Sequence, residues 1–270
     1  MTSTDMVSTI TKLLPPGHPW GQRIIHLDTV DSTNTFAKSL AQQGAPGGTV
    51  VIARQQTGGR GRLGRSFSSP DGLGLYLSVI LRPNCSPSEL MHLTCGAGVA
   101  ASNAVFAASG IKCGIKWTND LVIGKRKLGG ILTELSIDPA TKLVDYAIVG
   151  IGINCCQQEE DFPPEIRDIA TSLRLSGGKA DCPTLAAALI EELARLDADL
   201  LCQKAAILAA FTQRCVTIGK DISIVRGDDI RHAKALAVEE DGALLVVFPD
   251  GTRSSISSGE VSIRGMYGYL

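Results

Sequence analysis

Apolar and polar positions follow two different rhythms along this chain. Up to about residue 215, short apolar runs of strand length alternate with longer stretches of helical spacing. The strand candidates are 23–27, 49–53, 75–81, 114–117, 121–123, 128–135 and 144–153. Between the first two, Phe36, Ala37, Leu40 and Ala41 mark one face of a helix, with Asp31, Ser32 and Thr33 as possible N-caps and Gly44 near its end. Ser86-Pro87, with Glu89 in the first turn, opens a second helix that runs to about Ser109-Gly110. Its alanines and glycines imply close packing on a sheet. A third helix follows Pro183, with Leu185, Leu189, Leu193, Leu196 and Leu200 at helical spacing. Gly124-Lys125-Arg126 reads as a hairpin turn, residues 156–182 as irregular, and residues 1–22, polar and then Pro-broken, as an arm or linker.

Past Cys215 the rhythm shortens. Apolar runs at 216–225, 233–238, 243–248, 252–256 and 260–263 are separated by turn residues such as Asp241-Gly242 and Asp250-Gly251. Such a series of short strands describes a small barrel. The pattern divides the chain into an arm (1–22), a main domain (23–215) and a small β domain (216–270).

Composition narrows the class of partner. The 270 residues carry 26 Lys+Arg against 27 Asp+Glu, a formal net charge of −1. A general nucleic-acid binder is more often basic, so any cationic cluster here is local. Eight cysteines show no CxxC and no zinc-type Cys/His spacing, and the vicinal Cys155-Cys156 pair does not suit an ordinary disulfide. Reduced thiols in the cytoplasm are expected. No secretory signal and no run of membrane-spanning length is visible.

The densest chemistry is Gln56-Thr57-Gly58-Gly59-Arg60-Gly61-Arg62-Leu63-Gly64-Arg65, directly after a strand candidate. Arginine offers a planar fork of donors for a carboxylate or phosphate, and glycine lets backbone approach a ligand. The anion could be a nucleotide phosphate, a substrate carboxylate or both. Gly59, Gly61 and Gly64 match GxGxxG, but Pro70 and Gly72 interrupt the segment where a dinucleotide fold needs its helix. The Gly-Lys-Ser/Thr of NTPase loops is absent. Two further constellations are Lys116-Trp117-Thr118-Asn119-Asp120 with Lys125 to Gly130, and Gly150-Ile151-Gly152-Ile153-Asn154. Alone, each is also compatible with a solvated turn or with a strand packed close to another backbone.

Together with Asp31-Ser32-Thr33-Asn34 and Arg126-Lys127-Leu128-Gly129-Gly130-Ile131, these motifs resemble the biotin protein ligases, in order from about Asp31 to Arg264. The resemblance implies an α+β fold: a mixed β-sheet flanked by helices, like class II tRNA synthetase cores, followed by a small SH3-like barrel. It implies an ATP-dependent reaction that makes biotinyl-5′-AMP and then biotinylates a lysine of a biotin carboxyl carrier domain, such as that of acetyl-CoA carboxylase. By the same resemblance Ser32, Thr33, Asn34 and Gln56 would hold biotin's ring, and Arg60, Gly61 and Arg62 would cover its carboxylate and the adenylate phosphate. Lys127 would contact the carboxylate where the acyl phosphate forms. Arg62, Arg65, Phe67, Lys116, Asn119, Asp120 and Asn154 would serve ATP, its phosphates and Mg²⁺, with Arg264 reaching in from the barrel. Lys127, Arg62 and Asp120 are the implied catalytic residues, Asp120 as a candidate proton acceptor for the lysine.

Two positions depart from the family pattern: Phe67 where Trp is frequent, and Thr118 where Pro is usual. Only about thirty residues precede the Ser32 motif, so no DNA-binding module is expected, and a monomer or homodimer is equally compatible. A lipoate–protein ligase, the runner-up, would lack the Gly/Arg string.

Overall fold

The computed structural model of this chain describes residues 3–178, 181–257 and 262–265, with backbone alone at 3, 4, 262, 264 and 265. A seven-stranded mixed sheet forms the main body. Its strands are β1 (Ile24–Val30), β2 (Val50–Gln56), β3 (Gly74–Leu81), β4 (Gly114–Lys116), β5 (Asp120–Ile123), β6 (Arg126–Ile137) and β7 (Val144–Asn154). The order is β1-β2-β3-β7-β6-β5-β4, with β1–β2 parallel and every other pairing antiparallel.

Residues 1–22 are not simply an arm. Ser3–Leu13 forms a helix, α1, that packs on β1 and on a later helix. Met6, Ile10 and Leu14 recur every four residues, and Ile10, Leu14 and Trp20 are buried in the main core. Each such buried side chain contributes ~1.5–3 kcal/mol of transfer free energy. The helical spacing was present in the sequence but was masked by the prolines that follow it.

Side-chain alternation on β7 decides what covers each face of the sheet. Ala147, Val149, Ile151 and Ile153 enter the main core under α3 (Leu93–Ser109), α4 (Cys182–Asp199) and α5 (Lys204–Arg214). Tyr146 and Ile148 face the other way, against Ala37 and Ala41 of α2 (Thr33–Gln42). The stretch Pro87–Ser109 is long and apolar enough to cross a membrane, but two thirds of it (67%) is buried. A Cβ on Gly96 would come within 2.5 Å of Leu196 on α4, so its glycines and alanines allow close helix packing. The expected single helix from Ser86 instead begins as a one-turn 3₁₀ segment, capped by a Ser86–Glu89 box, before α3. α5 was not anticipated, because Lys204 to Arg214 carries only a weak apolar stripe, with Leu208 and Phe211 buried.

The C-terminal strands β8 (Asp221–Arg226), β9 (Asp229–Val238), β10 (Leu244–Val247), β11 (Arg253–Ile256) and β12 (Ser262–Gly265) form an antiparallel five-stranded sheet in the order β11-β10-β9-β8-β12. It occupies the place expected of the small barrel. Trp117 ties it to the main sheet: its backbone N–H donates to Thr217 Oγ1 at 2.9 Å and its indole N–H to Gly242 O at 3.0 Å.

Candidate functional site

On the α2 face of β7, Gly150, Gly152 and Asn154 continue the alternation that Ile148 begins. Two bare positions in a row open a floor that α2 reaches through Asn34 of its first turn. Above it lies a cavity of ≈ 600 Å³, within the range of small-molecule sites. Both glycines are needed: a Cβ on Gly150 would strike the Asn34 carboxamide, and one on Gly152 would lie 2.6 Å from the Phe67 ring.

At one end, Ser32, Thr33 and Asn34 project from the start of α2 beside Gln56 at the end of β2. The side chains of Thr33, Asn34 and Gln56 are held before any ligand arrives. Gln56 Oε1 accepts from Thr33 N (2.8 Å) and Thr33 Oγ1 (3.0 Å), and its Nε2 donates to Ser69 Oγ at 2.8 Å. Ser78 Oγ donates to Asn34 Oδ1 at 2.7 Å, with Thr33 Oγ1 as an alternative acceptor at 2.8 Å. Asn34 Nδ2 donates to Glu134 at 2.8 Å. Sequence reasoning missed Ser69, Ser78 and Glu134, whose supporting roles depend on contacts across strands.

The Gly/Arg segment folds into a narrow hairpin over the cavity. Gly61 N donates to Arg65 O (2.7 Å) and Phe67 N to Gly59 O (2.8 Å). Leu63 sits at φ +56° and Gly64 at φ +72°, so the turn passes through the left-handed region, which a non-glycine residue enters at a cost of ~1–3 kcal/mol. Arg60, Gly61, Arg62, Arg65 and Phe67 all line the cavity. Arg60 pairs with Glu134 at 3.2 Å, and Arg62 Nη1 donates to Asn119 Oδ1 at 3.1 Å. Burial lowers the Arg62 pKa, opposed by Asp120 and reinforced by Arg65.

Lys116, Asn119, Asp120 and Lys127 form the adjoining wall. On β5, Leu121 and Val122 face Gly129 and Lys127 of β6, so Leu128 is an extra residue in the ladder. This bulge turns Leu128 and Ile131 into the core and leaves Lys127 facing the cavity, where its Nζ lies 2.6 Å from Asp120 Oδ1. The Trp117–Thr118 peptide is cis.

Within the stretch expected to be irregular, residues 156–178 carry two short 3₁₀ turns, Glu159–Asp161 and Pro164–Ile166, and complete the far end, while Cys182 already opens α4. Lys127 N donates to Ile169 O and Thr171 N to Lys127 O, at 2.7 and 2.8 Å. Asn154 Nδ2 donates to Thr171 O at 3.0 Å. One segment thus braces both Lys127 and Asn154, and Phe162, Ile166, Ile169 and Ala170 add an apolar wall that sequence reasoning did not foresee. The backbone of Arg264 lies in β12 opposite Ser223, but its side chain is outside the described residues; its neighbour Ile263 lines the cavity. Among the described residues no cluster of three His, Cys, Asp or Glu could hold a metal ion.

The pattern of the Biotin/lipoate A/B protein ligase family matches residues 27–154, and that of the biotin protein ligase C-terminal domain matches 217–264. The bifunctional ligase/repressor BirA of Bacillus spizizenii is 36% identical over 240 residues, which cover 88% of this chain and 73% of that protein. The biotin--[acetyl-CoA-carboxylase] ligase of Paracoccus denitrificans is 30% identical over 88% of this chain and 100% of its own length. A biotin protein ligase from Aquifex aeolicus, solved in complex with biotin and ATP, superposes with a TM-score of 0.75 at 30% identity, over 90% of this chain and 99% of that one. By sequence and by architecture, the chain belongs to the Biotin/lipoate A/B protein ligase family, among its biotin protein ligases.

Proposed function

We propose that this cavity joins biotin to ATP, forming biotinyl-5′-AMP with release of pyrophosphate, and that the biotinyl group then passes to a lysine of a carrier domain such as that of acetyl-CoA carboxylase. The observation that carries the reading is convergence: the pre-bonded amide end, three loop arginines and Lys127 meet over one glycine floor.

Biotin's ureido ring needs donors and acceptors in fixed places, and we assign that task to Ser32, Thr33, Asn34 and Gln56. Attack of its carboxylate on the α-phosphorus brings two anions together. Preorganised cations offset their repulsion and stabilise the charge that builds on phosphate. Arg60, Arg62 and Lys127 are assigned to that charge, and Arg65, Lys116, Asn119 and Asn154 to the nucleotide. Phe67, seated on Gly152 and edge-on to Tyr76, supplies the aromatic face beside the base. Asp120 orients Lys127, which its 2.6 Å contact favours over proton abstraction from the acceptor. Mg²⁺ enters with ATP as part of the substrate; such ions are bound by one or two carboxylates plus phosphates, and Asp120 is the carboxylate on this wall. The eight unpaired cysteines accord with a reducing, cytoplasmic setting.

The test is direct. The chain is incubated with ATP, Mg²⁺, biotin and a carrier domain, and the carrier is weighed. A gain of one biotinyl group is expected. Gain with lipoate in place of biotin would move the chain to the other branch of its family.

A further inference from the structure

A second cavity, of ≈ 250 Å³, lies beside the first. Arg62, Leu63, Ile131 and Leu132 line both. The remaining wall is threonine: Thr94 at the start of α3, Thr118 after β4, and Thr133 on β6. The hydroxyls of Thr94 and Thr133 are 2.6 Å apart. Among the described residues, none of those assigned to biotin or nucleotide, Arg62 apart, contributes to it.

We propose that this small cavity receives the side chain of the acceptor lysine and delivers its amine to the acyl carbon beside Arg62. The proposal rests on the ligase reading above. Size is the first argument. Small-molecule sites span about 300–1,000 Å³, so this one has room for a side chain and not for a further substrate. Chemistry is the second. Lysine is an apolar stem with a polar tip. Leu63, Ile131 and Leu132 suit the stem, and threonine hydroxyls accept from the amine.

Charge is the third argument. Among the described residues no carboxylate lines this cavity, and the wall it shares with the first carries the Arg62 guanidinium. A neighbouring cation disfavours an ammonium relative to the neutral amine. Only the neutral amine can attack, so the cavity favours the reactive form at its inner end. The ammonium loses one proton to water at the mouth. The amine lone pair then forms the amide bond with the acyl carbon. The acyl C–O bond breaks, its electron pair leaves with AMP, and the surplus proton on nitrogen passes to the AMP phosphate.

Sequence adjacency supplies an order of events. Arg62 and Leu63 are consecutive residues of one hairpin, so the turn that covers the adenylate also builds the rim of the lysine cavity. Leu63 is half exposed, at 52%, as a rim residue would be before a carrier domain arrives.

Thr133→Leu and Thr94→Leu each fill the cavity from its threonine wall, away from every residue assigned to adenylation but Arg62, and Thr133→Ser keeps its hydroxyl. Three rates are read on each variant: pyrophosphate release with biotin and ATP, capture of the adenylate by hydroxylamine, and biotin transfer to an acetyl-CoA carboxylase carrier domain. Hydroxylamine is too small to need the cavity. Both leucine variants should lose roughly tenfold or more in transfer, as overfilling a packed site predicts. Pyrophosphate release and hydroxylamine capture should stay within about twofold, which also shows that the variant is folded. Thr133→Ser should transfer normally. Unchanged transfer in both leucine variants overturns the proposal. So does slowed pyrophosphate release with hydroxylamine capture slowed equally, which would make this a phosphate subsite. Absence of adenylate in the unmodified chain would sink the ligase reading itself, and this proposal with it.

Discussion

Lys127 Nζ and Asp120 Oδ1 meet at 2.6 Å across neighbouring strands, because a single extra residue, Leu128, re-aims the start of β6. Both side chains are mostly buried, so the pair holds the ammonium in one position at the cavity wall. A hydrogen bond to a charged group contributes ~1.5–3 kcal/mol. Lys127→Ala should therefore slow adenylate formation by roughly 10–150-fold, since ~1.4 kcal/mol is tenfold. Asp120→Asn, which keeps an oxygen but not the charge, should lose less. Biotin-dependent pyrophosphate exchange measures both; an asparagine variant as impaired as the alanine one would contradict an orienting role.

The two floor glycines should fail differently. Gly150→Ala pushes on Asn34 and should raise the KM for biotin, whereas Gly152→Ala pushes on Phe67 and should raise the KM for ATP. Overpacking costs ~1–3 kcal/mol, or about 5–150-fold. Equal effects of either substitution on both substrates would argue that the ends of the cavity are not separate.

The Gly/Arg hairpin should be protected by its ligands. Trypsin cleavage at Arg60, Arg62 and Arg65 is expected to slow when biotin and ATP are both present. The Arg60–Glu134 pair is partly exposed, and such pairs contribute at most ~1 kcal/mol. Glu134→Gln should thus speed cleavage of the free chain by no more than about fivefold. Cleavage indifferent to ligands would show that the hairpin does not close over them.

Stability should fall on acidification through the histidines. Burial lowers the pKa of His18, His26 and His92 below the ordinary 6.5. The unfolded chain therefore takes up protons first as pH drops. Stability is full above pH 6.5 and is lost as pH falls through 6.5 toward the folded values. His92 is the sharpest case: its Nε2 donates to Leu200 O at 2.8 Å, and its buried Nδ1 has no partner among the described residues to receive a second proton. Thermal melts between pH 7.5 and 5.5 should show a declining Tm, and His92→Gln should flatten the decline. An unaltered slope in that variant would shift the effect to the other two histidines.

The cysteines should be dispensable for chemistry. Burial pushes Cys95 up to about 12, and Cys182 together with burial raises Cys156. Raised thiols are protonated at neutral pH and react slowly. Replacing Cys155 and Cys156 by Ser should leave adenylate formation largely intact, and maleimide at pH 7.5 should label the exposed Cys202 first. Loss of activity in a folded double variant would reveal thiol chemistry.

Much of this site was legible along the chain because its residues fall in short, chemically dense strings. Gln56 to Arg65, Lys116 to Asp120 and Gly150 to Asn154 each declare donors, glycines and charge within ten residues. Their supports did not. Glu134 touches Asn34 and Arg60 across about a hundred and about seventy positions, and Thr171 braces Lys127 and Asn154 from a segment with no periodicity. Helix α1 shows the converse, since its four-residue apolar spacing was readable but was overshadowed by Pro15, Pro16 and Pro19.

By itself the sequence determined the strand pattern, the small β domain, the family and most of the polar residues that line the main cavity, because those follow from local periodicity and from contiguous motifs. Tertiary structure alone decided that two glycines on one face of β7 make a floor, that a bulge at Leu128 turns Lys127 into it, and that Arg62 and Leu63 divide two cavities. These depend on which strands become neighbours and on which face each side chain lands. That outcome is set by pairing register and by packing between residues far apart in the chain.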